Sequence, residues 1–237
     1  HGTELAPGAP SGSPRSLVGV TLIAPVRPTK IIGIGSNYRA HAAEMGKRIP
    51  AVPKMFLKAP SAVIGMGAPI VLPPGTERVD HEAELGVVIG RVAHRVSRDE
   101  ALDFVAGYTV VNDVTARDLQ ASDGVFSRAK GFDSFCPLGP WLVTGIDPSD
   151  LRVWCEVDGV PRQDGRTSDM AFDVATLVAF ISDVMTLLPG DVIATGTPAG
   201  VGPLHPGQLV TVGVDGIGAL RNPVVARDDR VEPTRRA

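Results

Sequence analysis

Residues 81–90 are His-Glu-Ala-Glu-Leu-Gly-Val-Val-Ile-Gly, and the rest of the chain is organised around them. Leu85 to Ile89 are apolar and partly β-branched, so the pattern predicts a buried strand. Side chains alternate across a strand, so Glu82 and Glu84 should point to the same side. Two neighbouring carboxylates raise each other's pKa unless a cation lies between them, and oxygen ligands suit Mg²⁺, Mn²⁺ or Ca²⁺. The stretch predicts a metal site; the alternative is an edge strand with a solvated polar face.

The composition excludes several classes of protein. The chain has 237 residues, 43% hydrophobic and 21% charged, which is enough to bury the core of one domain. A formal net charge of −3 argues against a general nucleic-acid-binding protein. No apolar run is long enough to span a bilayer, no secretory segment is evident, and the two cysteines are too few for a disulfide framework. We therefore expect a cytoplasmic protein that binds neither nucleic acid nor membrane.

The chain divides into an arm, one domain and a tail. Residues 1–28 are rich in Gly, Pro, Ala and Ser and predict an arm or linker, the remnant of a small N-terminal segment. Residues 29–225 form the predicted catalytic domain, and residues 226–237 form a polar tail. Strands are predicted at 17–26, 30–35, 107–113, 141–144, 151–157 and 191–194, with a closing hairpin at 209–220. Helices are predicted after Ser36 or Asn37 to about Met45, and at 97–105, 115–120 and 173–187.

Three places in this pattern could carry chemistry. His41 and Glu44 are three positions apart on one face of a predicted helix, where a carboxylate raises the basicity of an imidazole that takes a proton from water. The alternative is a surface pair on an amphipathic helix. Asp113 lies where a strand is predicted to end, as functional side chains and ordinary helix N-terminal residues both do. The loop at residues 195–200 could hold a carboxylate with its amides and hydroxyls, or be a plain turn.

Six segments of the chain, taken together and in order, resemble the fumarylacetoacetate hydrolase family. They are Gly35-Ser-Asn-Tyr-Arg-Ala-His-Ala-Ala-Glu-Met45, Phe56-Leu-Lys58, His81-Glu-Ala-Glu-Leu-Gly86, Asn112-Asp-Val-Thr-Ala-Arg-Asp118, Ala129-Lys-Gly-Phe-Asp-Ser134 and Gly190-Asp-Val-Ile-Ala-Thr-Gly-Thr-Pro198. The resemblance is to the shorter bacterial members, which include 2-hydroxyhepta-2,4-diene-1,7-dioate isomerases and a related acylpyruvase and oxaloacetate decarboxylase branch.

The resemblance implies a role for each matching residue. The implied metal ligands are Glu82, Glu84 and Asp113, and the implied catalytic residues are His41, Glu44 and Lys130. The implied substrate-binding residues are Lys58, Arg117, Gln120 and Thr197. The implied metal is Mg²⁺ or Mn²⁺, with Ca²⁺ as an alternative. A further metal carboxylate of the hydrolase proper is missing here, because Ile34, Gly35 and Ser36 precede the histidine segment, so several coordination positions stay open for water and substrate.

The resemblance also implies an α+β, β-rich fold, a mixed β-sandwich roll with short flanking helices, in a homodimer. The expected function is a divalent-metal-dependent enzyme that acts on 2-oxo or 2-hydroxy-enoic dicarboxylic acids through a metal-stabilised enolate. Isomerisation of a 2-hydroxyhepta-2,4-diene-1,7-dioate in aromatic catabolism is expected first, and the surplus of cations at Lys58, Arg117 and Lys130 favours a dicarboxylate. Oxaloacetate decarboxylation and acylpyruvate or fumarylacetoacetate hydrolysis remain open. So do a metal-dependent enzyme of another substrate class and a non-catalytic, metal-stabilised binding protein.

Overall fold

Short strands form most of the regular structure in the computed structural model of the chain, which describes residues 4–5 and 16–228. The strands are β1 (Ile31–Gly35), β2 (Lys54–Lys58), β3 (Val63–Ile64), β4 (Ile70–Leu72), β5 (Val79–His81), β6 (Ala83–Ile89), β7 (Val105–Asn112), β8 (Thr115–Ala116), β9 (Cys136–Val143), β10 (Arg152–Val157), β11 (Val160–Arg166), β12 (Val192–Ala194), β13 (Gly202–Pro203), β14 (Leu209–Val214) and β15 (Gly218–Ala226). The α-helices are α1 (Arg39–Glu44), α2 (Arg117–Asp123), α3 (Ser127–Gly131) and α4 (Val174–Val184). Short 3₁₀ helices lie at Pro60–Ala62, Ala101–Phe104, Pro148–Asp150 and Thr167–Asp169.

The strands form three sheets. The largest has seven strands in the order β2-β1-β12-β6-β7-β9-β3, and the second has five in the order β11-β10-β14-β15-β4. A small sheet, β13-β5-β8, lies beside the acidic end of β6. β1 pairs with β12 and β3 with β9 in parallel, whereas β6 pairs with both of its neighbours antiparallel. The predicted β-rich α+β fold with mixed sheets and few helices is confirmed.

Strand β6 is buried on both faces, as its apolar sequence predicts. Leu85 and Val87 face the main core, which also holds Val212 of β14, so the two large sheets pack face to face. Val88 points the other way into a second cluster that includes Ile31. Each fully buried side chain of this size contributes about 1.5–3 kcal/mol relative to an exposed one. Since the residues of β6 alternate between the two faces, Glu84 continues the face that carries Val88.

Residues 17–26 do not form the predicted strand. The segment has a turn in which the Val20 amide donates to the Leu17 carbonyl, and Gly19 takes a positive φ of 75°. Pro25 and Pro28, which lack amide donors, flank the only part that packs tightly, Val26. The arm predicted at residues 1–28 and the tail at 226–237 fall in part on residues 1–3, 6–15 and 229–237, which lie outside the described residues.

Two predicted helix starts are also wrong. Neither Ser36 nor Asn37 caps α1: Asn37 instead joins Phe172 and the Thr195 carbonyl through its side chain. Ser97 bonds the Glu100 side chain at 2.6 Å, and only the short 3₁₀ helix Ala101–Phe104 follows before β7 begins.

Three other local predictions have mixed outcomes. The sequence Asp158-Gly159 predicts a type I′ hairpin turn, and both residues take the positive φ that such a turn requires, 54° and 76°. The helix predicted from residue 173 is confirmed as α4. Its apolar spacing also predicts that Val184 and Leu188 belong to the core, but these residues are 56% and 37% exposed. No helix in the described ranges is both long and apolar enough to cross a membrane.

Candidate active site

Three buried carboxylates meet where β6 and β7 pair. Glu84 lies on β6, Glu82 immediately before it, and Asp113 immediately after β7. One carboxylate oxygen from each lies within 4.8 Å of the others, and all three residues are at most 5% exposed. The Asp113 amide donates to the Glu82 carbonyl at 2.9 Å, and the Glu82 amide donates to Asn112 Oδ1 at 3.0 Å. The backbone therefore holds the carboxylates together before any ligand arrives.

Lys130 of α3 points its ammonium between two of these carboxylates. Its Nζ donates to Glu82 Oε2 at 2.8 Å, to Asp113 Oδ2 at 2.5 Å and to Thr115 Oγ1 at 2.7 Å. Burial alone would lower the pKa of Lys130, but the charges of Asp113 and Glu82 outweigh it and raise that pKa. Lys130 is therefore a charged group with all three of its donors in use.

Arg117, at the start of α2, binds the same cluster from the other side. It donates to Glu82 Oε1 at 2.6 Å, to Asp80 Oδ2 at 2.8 Å and to Gln120 Oε1 at 3.1 Å. Burial by itself would raise the pKa of Glu82, but Lys130 and Arg117 together hold it below its usual range. Glu82 is thus a carboxylate at neutral pH, and Arg117 is largely occupied by the protein.

Lys58 lies behind the carboxylates. Its ammonium pairs with Asp113 Oδ1 at 2.6 Å and donates to the Lys130 carbonyl at 2.7 Å, and the residue is 2% exposed. Lys58 is not among the described residues that line the cavity in front of the carboxylates. Its geometry supports Asp113 and Lys130, and the predicted contact between Lys58 and a substrate has no support in this arrangement.

Glu84 has a different environment. Its only hydrogen-bond donor among the described residues is the Gly196 amide, at 2.9 Å, and no Lys or Arg there forms an ion pair with it. Burial, Asp113 and Glu82 all raise the pKa of Glu84 well above its usual value. A buried carboxylate with two anionic neighbours and no cation of its own fits a divalent ion bound by the three side chains. The donor set, all oxygen, suits Mg²⁺ or Mn²⁺.

His41 and Glu44 come together as predicted on one face of α1. His41 Nδ1 lies 3.1 Å from Glu44 Oε2, and Glu44 Oε1 accepts the Gly200 amide at 3.0 Å. His41 is 8% exposed and lines the same cavity as the carboxylates. Glu44 therefore fixes the imidazole and connects α1 to the loop at residues 195–200.

The cavity is narrow, about 30 Å³, and brings most of the predicted site residues together. The predicted residues that line it are His41, Glu82, Glu84, Asp113, Arg117, Gln120, Lys130 and Thr197. The Thr197 hydroxyl donates to the Ala83 carbonyl at 2.8 Å and accepts from Gln163 Nε2 at 2.7 Å. With these two hydrogen bonds made, the Thr197 hydroxyl oxygen has one lone pair left to accept a bond from a molecule in the cavity.

Two residues of the site were missed by the sequence analysis. Asp80 is fully buried and accepts from both Arg78 and Arg117. Gln163 of β11, 1% exposed, accepts from the Ala83 amide and contacts His81 Nδ1, while its Nε2 donates to Thr197 and to the Pro198 carbonyl. Asp80 adjoins the His81–Gly90 stretch and could have been found from that position, but Gln163 lies in a polar hairpin with nothing in its sequence to mark it.

Comparison with known proteins places this arrangement among related chains. A family model described as fumarylacetoacetate (FAA) hydrolase C-terminal matches residues 30–225. Protein Rv2993c of Mycobacterium tuberculosis is 49% identical over 225 residues, which are 93% of this chain and 85% of that protein.

Two solved structures have similar folds. That of 5-carboxymethyl-2-hydroxymuconate delta-isomerase from Mycobacterium smegmatis is 51% identical with a TM-score of 0.87, covering 92% of this chain and 87% of its own. That of 2-hydroxyhepta-2,4-diene-1,7-dioate isomerase from Mycobacterium marinum is 49% identical with a TM-score of 0.84, covering 90% and 81%.

Proposed function

The chain belongs to the fumarylacetoacetate hydrolase family and is therefore an enzyme, and from this premise we propose that it isomerises a 2-hydroxy-dienoic dicarboxylic acid. One observation carries the proposal: His41, which is paired with Glu44, lines one cavity with three buried carboxylates, one of which lacks a cation. Two relatives of about 50% identity are named as isomerases of unsaturated hydroxy acids, which supports the same substrate class in aromatic catabolism.

The metal in this proposal is Mg²⁺ or Mn²⁺, with Ca²⁺ as the alternative, held by Glu82, Glu84 and Asp113. Such an ion supplies Lewis-acid stabilisation of the negative charge that develops on the oxygens of a 2-oxo or 2-hydroxy acid. Lys130 and Arg117 fix the ligand geometry by holding both oxygens of Glu82. Lys58, which pairs with Asp113, completes this support from behind.

His41 is the residue that transfers the proton. Its Nδ1 side is held by Glu44, so Nε2 is the nitrogen left to take a proton from the substrate and return it to another carbon of the same molecule. The net change is a shifted double bond with no loss of atoms. Glu44, fixed by the Gly200 amide, keeps the ring in one orientation throughout.

Two other reactions use the same groups. Loss of CO₂ from a 2-oxo diacid and hydrolysis of a C–C bond both pass through negative charge on the same substrate oxygens, and the family name itself supports the hydrolytic alternative. A non-catalytic metal-stabilised protein is the alternative of another class, but it gives no reason for His41, held by Glu44, to line the cavity.

The test combines metal binding with turnover. Glu84→Gln, Glu82→Gln and Asp113→Asn should each weaken Mn²⁺ binding by about an order of magnitude or more in calorimetric titration, because the remaining ligands are fewer and repel each other. The exposed Glu100→Gln serves as the control and should bind like the wild type.

The purified protein with Mn²⁺ is then offered a 2-hydroxydienedioate, oxaloacetate and acylpyruvates. Loss of the dienol absorbance, without CO₂ release or acid formation, supports isomerisation. Unchanged metal affinity in two of the three variants would contradict the metal site, and turnover of none of these acids would favour the binding-protein alternative.

A further inference from the structure

The narrow cavity opens into a wider vestibule of about 550 Å³. The two spaces share Met45, Lys47, Arg117, Gln120 and Phe126, so they are continuous. A molecule bound by one end at the three carboxylates would extend into this vestibule if it were longer than the cavity.

The vestibule has four basic side chains, but two of them are already used. Arg78 donates to both oxygens of Asp80, at 2.8 and 3.1 Å, and Arg117 binds Asp80 and Glu82. The one acidic residue that lines the vestibule, Glu44, is occupied by His41 and the Gly200 amide.

The other two basic side chains, Lys47 and Lys54, remain available to bind a ligand. Among the described residues, neither ammonium forms an ion pair with a carboxylate. Lys54 Nζ lies 4.9 Å from the centre of the Phe126 ring, a weaker contact than an ion pair. Partial burial and the nearby charges of Lys54, Arg117 and Lys130 lower the pKa of Lys47 and outweigh the opposing charge of Glu82.

Two aromatic rings line the narrow cavity together with the carboxylates. Phe56 and Phe126 pack edge to face with ring centroids 5.1 Å apart, and Phe126 also lines the vestibule. The connected spaces therefore offer oxygen ligands, aromatic rings and ammonium groups, which suit a hydrocarbon chain with a carboxylate at each end.

We propose that Lys47 and Lys54 form an anion subsite that binds the distal carboxylate of the substrate and selects dicarboxylic over monocarboxylic acids. This inference rests on the proposed function and identifies which residues set its substrate class. It replaces the expectation that Lys58, Lys130 and Arg117 do so, because those three cations are neutralised by Asp113, Glu82 and Asp80. The subsite is open to solvent, so its attraction should weaken with salt.

The test measures kcat/KM for a 2-hydroxydienedioate and for an analogue of equal length whose distal carboxylate is replaced by a methyl group. In the Lys47→Ala, Lys54→Ala variant, the ratio of the two kcat/KM values should fall about 10-fold or more, mainly through KM for the diacid. Lys47→Arg should retain most of the ratio since it keeps the charge, and Arg48→Ala, an exposed basic neighbour, is the matched control. Raising the ionic strength should increase KM for the diacid in the wild type more than in the double variant.

The possible outcomes distinguish failure of the proposed subsite from failure of the proposed function. If the wild type prefers the diacid and the double variant keeps the same ratio, the subsite is wrong and the proposed function stands. Equal kcat/KM values for the two acids in the wild type have the same meaning. If the wild type turns over neither acid and binds no oxalate in the presence of Mn²⁺, the proposed function fails and the subsite with it.

Discussion

Glu82 and Glu84 are separated by one residue, but their surroundings shift the pKa of each carboxyl group in opposite directions. Two cations hold the pKa of Glu82 below its usual range, whereas burial and two anionic neighbours raise that of Glu84. The two side chains share one face but have different partners, because of these two glutamates only Glu82 forms ion pairs with Lys130 and Arg117. The site is therefore asymmetric: Glu82 has cationic partners, whereas Glu84 has none among the described residues.

At this scale we predict that His41→Ala lowers turnover by about 10²–10⁴-fold while oxalate binding in the presence of Mn²⁺ is retained. The reason is that in the proposed mechanism His41 moves the proton, whereas the three carboxylates hold the ion. Steady-state kinetics and calorimetry with oxalate measure the two effects separately. His94→Ala is the control, because His94 is exposed and its ring has, within the part of the chain that the structure describes, one hydrogen-bond partner, Thr186. Full activity in His41→Ala would show that His41 does not take part in catalysis.

The residues of the site were predictable to the extent that they share a short-range pattern. Strand alternation is enough to place Glu82 beside Glu84, and helical spacing is enough to pair His41 with Glu44. The burial of Lys58 behind Asp113 depends on how β2 and α3 pack, which no local pattern encodes. Contacts between site residues that are far apart in sequence could be expected only from the family resemblance. The individual hydrogen bonds between them could not be predicted.

At the scale of elements, Gln163 shows how the five-stranded sheet supports the site. It extends from β11 to Ala83 at the start of β6 and to Thr197 and Pro198 of the loop at residues 195–200, satisfying both ends of its amide. Gly196 of that loop donates to Glu84, so the loop, β6 and β11 form one hydrogen-bonded unit around a proposed metal ligand. We infer that the orientation of Glu84 depends on an element of the opposite sheet.

Helix α4 provides a prediction about stability. Its N-cap, Asp173, accepts from the Thr176 amide at 2.8 Å and also pairs with Arg98. Asp173→Ala should therefore lower the free energy of unfolding by about 1 kcal/mol at pH 7, and Asp173→Asn, which keeps a capping oxygen, by less. Urea denaturation followed by circular dichroism measures both. A loss as large in Asp173→Asn as in Asp173→Ala would show that charge, and not capping, dominates.

The same residue predicts a pH dependence. Burial alone would raise the pKa of Asp173, but the hydrogen bonds from Thr176 and Arg98 lower it below 3.8, the value of a free aspartate. A carboxyl with a depressed folded-state pKa adds stability above its unfolded pKa and loses it as the pH falls through the folded value. The difference between the wild type and Asp173→Ala should therefore shrink when the titrations are repeated near pH 3.

The elements themselves were predicted best where local sequence and tertiary packing agree. β6, β7, β12 and α4 have apolar runs with clear ends, and each was predicted within a few residues. The segment at 17–26 has the composition of a strand but pairs with no strand among the described residues, and of the helix predicted at 97–105 only the 3₁₀ helix Ala101–Phe104 forms. Whether a segment becomes a strand depends on finding a neighbouring strand with which it can pair. The sheet edges that are available for pairing are determined only in the folded chain.

At the scale of the whole molecule, one surface is unusually apolar. A cleft of about 580 Å³ lies between the segment at 17–22 and the strand end at Pro140 and Trp141. None of the residues that line it carries a charge. Leu17, Val20 and Trp141 are 55%, 53% and 41% exposed. Contiguous exposed apolar surface of this kind marks protein–protein contact, and a surface without charge has no electrostatic barrier to meeting its own copy.

We predict that this cleft is the contact between two copies in the homodimer that the family resemblance implies. Light scattering during size-exclusion chromatography should give twice the chain mass of 24.8 kDa for the wild type. Trp141→Lys should shift the mass toward one chain, because a two-fold axis would bury the new charge twice in an apolar contact. Leu102→Lys is the matched control, since Leu102 is 44% exposed but does not line the cleft. A wild-type mass of one chain at micromolar concentration would contradict the homodimer. A dimer that persists in Trp141→Lys would move the contact to another face, because the cleft could not then be what holds the two copies together.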